Sequence, residues 1–277
     1  MRAPARLLLA VAGAAATRGL LSGARSVPAC TGQYLERRNY RGRTVSLVAG
    51  PVLATVAAAS AYAGAPRSGI GRAALMVGLV AGAAGGYDDI AGNRPDQHAI
   101  KGLRGHAGAL GRGQVTGGVA KLVSIGAVGV LAARTVADGV PDLLVTGGVV
   151  AGTANLVNLL DLRPGRALKA AILIGLPLLA GPAGAIVSGP LGAAAAVLPD
   201  DLAERTMLGD TGANALGAII GFGLAASLGR SGRAGLLAVL CGLILASERI
   251  SFGSVIERSP GLRAMDAWGR RGPAATG

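Results

Sequence analysis

An all-α fold, a polytopic membrane bundle of about nine transmembrane helices, is what this sequence predicts, and three features predict it. Hydrophobic residues make up 51% of the 277 and gather into long apolar runs separated by short charged ones. A hydrocarbon layer of roughly 30 Å demands runs of about 20 apolar residues, whereas a soluble core helix rarely does. Glycine is abundant, at 47 residues; it weakens helices in water but lets helix backbones approach closely in lipid, where apolar burial provides no drive between helices. The formal charge of +13 sits in clusters between the apolar runs and forms no patch on a soluble fold. That distribution reads as positive-inside orientation, so a membrane bilayer is the expected partner and nucleic acid is not. The whole of 1–277 reads as one integral membrane domain, with 248–277 as a cytoplasmic tail.

Nine spans are expected near 4–22, 45–64, 70–87, 115–134, 141–158, 166–181, 183–199, 212–228 and 233–247, each bounded by Gly, Pro or charge. Threaded this way, eighteen of the 27 Lys and Arg residues fall on one side and seven on the other, with Arg18 and Lys121 inside spans. The richer side is cytoplasmic, which puts the N-terminus outside and the C-terminus inside a cell membrane. Twelve of the 14 acidic residues share the cytoplasmic side; only Asp138 and Asp142 face outward. Acids contribute little to topology, so this one-sided gathering at span ends is independent information and suits a cation or phosphate site.

The first run, with Arg2, Arg6 and Leu7–Ala16, imitates a secretory signal, and Val27-Pro28-Ala29-Cys30 imitates a lipoprotein cleavage box. Arg18 and Arg25 intervene before Cys30, and similar runs follow, so a retained first helix is expected. Cys30 and Cys241 support neither a disulfide framework nor a zinc site. Before the second run lies a basic cluster of Arg37, Arg38, Arg41 and Arg43.

The third run closes on Gly86-Tyr87-Asp88-Asp89. Adjacent aspartates at a membrane boundary repel one another unless a cation or arginines compensate. Mg²⁺, which takes hard oxygen ligands from one or two carboxylates and from phosphates, is the natural partner; a helix end followed by an Asx turn is the plainer account. Lys121, alone near the start of the fourth run, either snorkels to the interface or neutralises an anionic substrate opposite the aspartates. His98 and His106 lie in the intervening loop at a spacing that matches no metal pattern, and read as solvated.

The fifth run ends Asn155-Leu156-Val157-Asn158-Leu159-Leu160-Asp161. Steps of three residues keep Asn155, Asn158 and Asp161 along one helical face, drifting by roughly 60° per step. Two amides and a carboxylate suit a nucleobase, a sugar or metal-bound water, or else hydrogen bonds to neighbouring helices. The sixth and seventh runs contain Pro177 and Pro190, with Pro182 between them, so kinked or partly re-entrant helices are expected there. The eighth opens on Leu208-Gly209-Asp210-Thr211-Gly212. Asp210 or Thr211 suits an N-cap; equally, the flanking glycines allow close approach of a ligand, the free N–H groups of a helix start favour phosphate, and the acid there could hold a metal. After the ninth run, Ser259 and Pro260 suit the N-cap and N1 of a short interfacial helix with Leu262, Met265 and Trp268 as its apolar stripe.

Taken in order, Tyr87-Asp88-Asp89, Asn155 to Asp161 and Gly209-Asp210-Thr211-Gly212 resemble the polyprenyl-phosphate N-acetylhexosamine-1-phosphate transferases, the family that includes the phospho-N-acetylmuramoyl-pentapeptide transferases of peptidoglycan synthesis. The resemblance covers roughly residues 35–220. It implies transfer of a sugar 1-phosphate from a UDP-sugar to a membrane polyprenyl phosphate at the cytoplasmic face, with Mg²⁺ required and UMP released. Carried over by position, Asp88 and Asp89 resemble the pair that engages the lipid phosphate, and Lys121 the lysine that follows them. Asp210 resembles the magnesium ligand. Asn158 and Asp161 resemble the polar group near the nucleotide, with Asn155 on the same face as a further candidate for substrate binding, and Arg41 or Arg43 a basic residue of the first cytoplasmic loop. A homodimer is compatible with the resemblance. The chain departs from the pattern in two places: Asp161-Leu162-Arg163-Pro164-Gly165 stands where a second glycine-flanked aspartate is usual, and no histidine occurs after His106. These departures point away from a muramoyl-pentapeptide donor and toward a simpler UDP-sugar, with a non-catalytic homologue that binds lipid-linked precursors as the alternative.

Overall fold

Each of the nine apolar runs is helical over most of its length in the computed structural model, which describes residues 3–24, 35–91, 105, 108–109, 111–113 and 116–270. The helices are α1 (Ala3–Ala24), α2 (Ala49–Gly64), α3 (Ser68–Ala91), α4 (Gly117–Ala133), α5 (Val140–Leu160), α6 (Arg166–Gly175), α7 (Gly184–Leu202), α8 (Gly209–Ser227), α9 (Arg230–Ser247), α10 (Phe252–Arg258) and α11 (Pro260–Ala267). Four of them, over Ala3–Ala24, Ser68–Ile90, Val140–Leu160 and Arg230–Ser247, are long and apolar enough to cross a bilayer; Ala49–Gly64 and Gly117–Ala133 are shorter apolar helices. His98, His106, Cys30, Lys101 and Arg104 lie outside the described residues.

The bundle is organised around α8. Leu216, Ile219, Ile220 and Phe222 are all fully buried, and α2, α3 and α5 pack directly on this helix. Outside that layer, α1 lies along α7 and α2, α4 covers α3 and α5, and α9 rides on α5 at the periphery. Large apolar side chains on the outer helices stay exposed, among them Leu7, Leu8 and Val11 on α1, Val123 and Leu131 on α4, and Val239 and Leu245 on α9. A soluble monomer rarely carries so much contiguous apolar surface, and lipid tails are its natural solvent. Small residues set the spacing within the bundle: a Cβ on Gly192 of α7 would fall 1.9 Å from the Ala10 carbonyl oxygen of α1, so the two backbones are in direct contact.

Three boundaries differ from the sequence expectation, each for a local reason. The second run begins as a strand: β1 (Glu36–Arg38) pairs antiparallel with β2 (Thr44–Ser46), with Arg37 opposite Val45. The hairpin turn is held by Asn39, whose Oδ1 accepts the amides of Arg41 at 2.9 Å and Arg43 at 3.0 Å, and by Gly42 at φ +74°. Hydrogen bonding to its own backbone is what a turn asparagine does. The sixth run breaks at Gly175 into a 3₁₀ segment, Leu176–Ala180, around Pro177, because proline withholds an amide from the α-helical ladder. At about 1.5 Å per residue the ten residues of α6 reach only about 15 Å, half a bilayer core. Finally, α8 starts at Gly209, not Gly212, for the reason that defines the site.

Candidate active site

The start of α8 is where the acidic residues converge. The first amides of any helix lack partners in their own helix, and here carboxylates from two other helices supply them. Asp89, at the end of α3, accepts the Asp210 amide on Oδ1 at 3.0 Å and the Thr211 amide on Oδ2 at 2.9 Å, with the Thr211 hydroxyl at 2.7 Å. Asp161, which follows α5, accepts the Gly209 amide. Asp210 therefore does not serve as N-cap; it stands inside the first turn, and residue 208 precedes the helix. The amides that the sequence offers to a phosphate are instead occupied by Asp89 and Asp161, because a carboxylate at the positive end of the helix dipole already gives the charge-assisted hydrogen bonds a phosphate would.

Glycines permit this convergence. A Cβ on Gly85 would lie 2.2 Å from the Asp210 carbonyl oxygen, so α3 and α8 touch backbone to backbone one turn before Asp88 and Asp89. Gly209 adopts φ +61°, and a Cβ there would sit 2.9 Å from both Asp89 carboxylate oxygens. Only glycine meets both demands at 209.

Successive helical residues diverge by about 100°, and the two adjacent aspartates accordingly part. Asp89 is 2% exposed and turns to α8, with the Arg37 guanidinium 3.3 Å away on the hairpin. Asp88 turns to α4, where Lys121 Nζ lies 2.7 Å from its Oδ2. The same ammonium also donates to Asp210 Oδ2. Lys121 is thus held between two carboxylates and is only 13% exposed, so it does not snorkel away from them.

The donor set of Asp88 and Asp210 suits a divalent cation. Two hard carboxylates converge on one positive group, the arrangement Mg²⁺ takes when phosphate oxygens and water complete its shell, and the Lys121 ammonium marks the position of positive charge between them. Among the described residues no group of three or more His, Cys, Asp or Glu side chains is arranged to hold a metal ion. Asp88 and Asp210 would therefore supply part of a shell, and an anionic substrate the remainder.

Two recesses flank this cluster. One, of about 240 Å³, runs between α2 and α3; Pro51, Ala54, Leu79 and Ile90 line it, and Asp89 and Thr211 close one end. The other, of about 280 Å³, lies between the hairpin and the α5–α6 loop and is lined by Arg37, Arg38, Tyr40, Asp161, Arg163, Asp201 and Glu204 among others. Asp161 Oδ2, in a residue only 4% exposed, has no hydrogen-bond partner. Burial, and then the charges of Asp201 and Asp210, push the Asp161 carboxyl well above the ordinary carboxylate range. Burial likewise raises Asp201, which follows the apolar part of α7, to about 7 even though it accepts the Gly165 amide at 2.9 Å. Both carboxyls lie beyond the apolar spans.

The remaining expected residues fall around the cluster. Asn155 and Asn158 are half-buried on the two turns before Asp161. Arg41 and Arg43 pair with Glu204, at 2.7 Å and 3.9 Å, and Arg41 also stacks over Tyr40 with 5.2 Å to the ring centroid. Arg37 and Arg38, their neighbours in the same basic cluster, line the cavity instead. The sequence marks neither Arg37 nor Asp201 as a site residue, offers Thr211 only as an N-cap, and shows Arg163 only within the departure at 161–165. Arg37 was visible only as one of four clustered arginines, and the hairpin register decides which of them faces Asp89. No family model, curated protein or solved structure matches this chain.

Proposed function

We propose that the protein transfers a sugar 1-phosphate from a UDP-sugar to a membrane polyprenyl phosphate, with Mg²⁺, in cell-envelope glycan synthesis. The observation that carries this reading is the meeting of Asp88, Lys121 and Asp210 between an apolar groove that ends on Asp89 and a cavity edged with arginines. One substrate is an isoprenoid chain with a phosphate head, which suits the apolar groove; the other is a soluble diphosphate, which suits the arginines that line the second recess beside Asp161, Asp201 and Glu204. In the reaction a polyprenyl-phosphate oxygen attacks the sugar-bearing phosphorus of the donor, the bond to the bridging oxygen breaks, and UMP leaves with that oxygen. Such a transfer asks chiefly for positioning and charge neutralisation. Lys121 would neutralise phosphate charge, Asp88 and Asp210 would hold Mg²⁺, and Arg37, Arg38 and Arg163 would face the nucleotide diphosphate. Bound Mg²⁺ would supply further compensation of the charge on the diphosphate oxygens.

In this reading the nine helical runs are nine spans, with α6 and its 3₁₀ extension, about 25 Å together, making one crossing. The N-terminus is outside, the C-terminus and the site are at the cytoplasmic face of the cell membrane, and a homodimer is compatible with the exposed outer helices. A second reading is favoured by the Lys121 ammonium itself, which occupies the space between the carboxylates: a non-catalytic homologue that binds lipid-linked precursors would keep that lysine as a permanent counter-ion.

Purified protein incubated with undecaprenyl phosphate, Mg²⁺ and a panel of UDP-sugars should release UMP from at least one donor. Absence of UMP from every donor, in both purified protein and overexpressing membranes, overturns the enzymatic reading. Lipid-precursor binding that then survives Asp210→Asn selects the second.

A further inference from the structure

The tail that follows α9 is fastened to the site end of the bundle by a cluster of partly buried polar contacts. Asp266 of α11 receives Arg166 on both oxygens, at 2.8 Å and 3.0 Å, and Arg270 at 2.6 Å. The side chains of Arg166 and Asp266 are 6% and 9% exposed. The Arg166 hydrogen bonds and charge, with Arg270, overcome the effect of burial and hold the Asp266 carboxyl below its ordinary range. Lys169 donates to the carbonyls of Met265, Asp266 and Trp268, Arg270 donates to Pro164 O at 3.0 Å, and Arg163 pairs with Glu257. Arg163 also stacks over Tyr40 of the hairpin at 5.1 Å. Tail, α5–α6 loop and hairpin are thereby linked through Arg163, and that loop begins at Asp161.

The outward side of the same tail has the opposite character. Val255, Leu262, Met265 and Trp268 are exposed, Trp268 by 71%, and Arg249, Arg258 and Arg263 are exposed among them. Glu257 and Asp266 are engaged by arginines of the bundle, and Arg249, Arg258 and Arg263 outnumber the remaining acid of the segment, Glu248, so its outward charge is positive. The tail also begins directly after Ser247, the last residue of a helix apolar enough to cross a bilayer, which places its first residues at the lipid surface.

We propose that residues 248–270 are a membrane-surface strap, seated by Val255, Leu262, Met265 and Trp268 among the headgroups of an anionic leaflet and clasped through Arg166–Asp266 to the loop that carries Asp161. Apolar side chains entering the headgroup boundary with arginines beside them are how surface-lying segments bind anionic lipid. The clasp makes that seating hold the α5–α6 loop, and through Arg163 the hairpin, against the start of α8. The strap needs only a membrane-embedded bundle and does not depend on the transfer reaction.

Trp268 is the single tryptophan of the chain, so its fluorescence reports the strap alone. Full-length protein is placed in nanodiscs of phosphatidylcholine with or without phosphatidylglycerol, and the lipids are brominated on the acyl chain near the headgroup. In anionic discs, brominated lipid should quench Trp268 at least about twofold and acrylamide should reach it poorly. Arg249→Gln/Arg258→Gln/Arg263→Gln and, separately, Leu262→Gln/Met265→Gln should each cut the lipid quenching by about half. Trp268 untouched by brominated lipid and open to acrylamide, or quenching unaffected by anionic lipid and by both variants, overturns the proposal. Asp266→Asn should raise trypsin cleavage after Arg166 and Lys169 several-fold while Asp161→Asn protein keeps its lipid quenching; unchanged cleavage in Asp266→Asn overturns the clasp.

Discussion

Asp89 caps the helix on which Asp210 stands: one of its oxygens takes the Asp210 amide at 3.0 Å, and the other takes the amide and hydroxyl of Thr211 at 2.9 Å and 2.7 Å. The paired aspartates at 88 and 89 therefore have separate tasks. Asp89 fixes where α8 begins, and Asp88 faces Lys121 and the space beside Asp210.

Replacing the two aspartates should separate stability from chemistry. Asp89→Ala leaves two amides and a hydroxyl unsatisfied and should destabilise the protein by about 2–3 kcal/mol. Asp88→Asn, at a side chain 22% exposed, should change stability by less than about 1 kcal/mol yet abolish UMP release. Thermal unfolding in detergent, alongside the transfer assay, reads both; equal destabilisation by the two changes would contradict the division.

Removing the ammonium between the carboxylates should expose their cation affinity. In Lys121→Met, Asp88 and Asp210 face each other uncompensated, and like charges so placed favour a bound cation or a shared proton. Mg²⁺ should then raise the unfolding temperature of the variant more than that of the wild type, while transfer falls by at least about 100-fold. A variant whose melting is indifferent to Mg²⁺ would remove Asp88 and Asp210 from the metal site.

The contact at Gly85 tests the packing that assembles the site. A Cβ there meets the Asp210 carbonyl oxygen at 2.2 Å, a clash with backbone that only separation of α3 and α8 relieves. Gly85→Ala should destabilise by about 1–3 kcal/mol and weaken transfer, whereas Gly126→Ala, which meets nothing within 4 Å, should be neutral or slightly stabilising through helix propensity.

Asp201 gives the pH dependence a sign. Its carboxyl is raised by burial to about 7 from an ordinary 3.8, so between those values the folded state binds a proton that the unfolded chain has released. Stability from this group is fully present below about pH 4 and is lost as pH rises through about 7. Asp161, raised for the same reason, acts in the same direction. Asp201→Asn should flatten the decline of unfolding temperature between pH 5 and pH 8; an unchanged slope would show that Asp201 does not carry it.

Much of the architecture was legible in the sequence because lipid imposes a simple rule: long apolar runs become helices whatever their neighbours. Residues 70–87 and 141–158 needed no tertiary information to be read as helices, and the gathering of Asp88, Asp89, Asp161 and Asp210 at span ends was visible as spacing. The residues 44–46 were not legible as a strand, since Val45 reads equally well as the start of an apolar helix, and only pairing with Glu36–Arg38 and the Asn39 turn decides the matter.

The division of labour at the site belongs to tertiary structure. Two adjacent aspartates are chemically identical in a sequence; which one caps α8 and which one meets Lys121 follows from the rotation of α3 against α8, set by the Gly85 contact. Which of four clustered arginines reaches Asp89 follows from the hairpin register, which turns Arg37 toward it and leaves Arg41 and Arg43 to Glu204. The sequence by itself determined that the chain is a helical membrane bundle with acids at the ends of its spans, because hydrophobicity and spacing are local properties. Only the tertiary structure decided the partner of each acid, because a carboxylate takes its role from the donors that packing brings within about 3 Å of it.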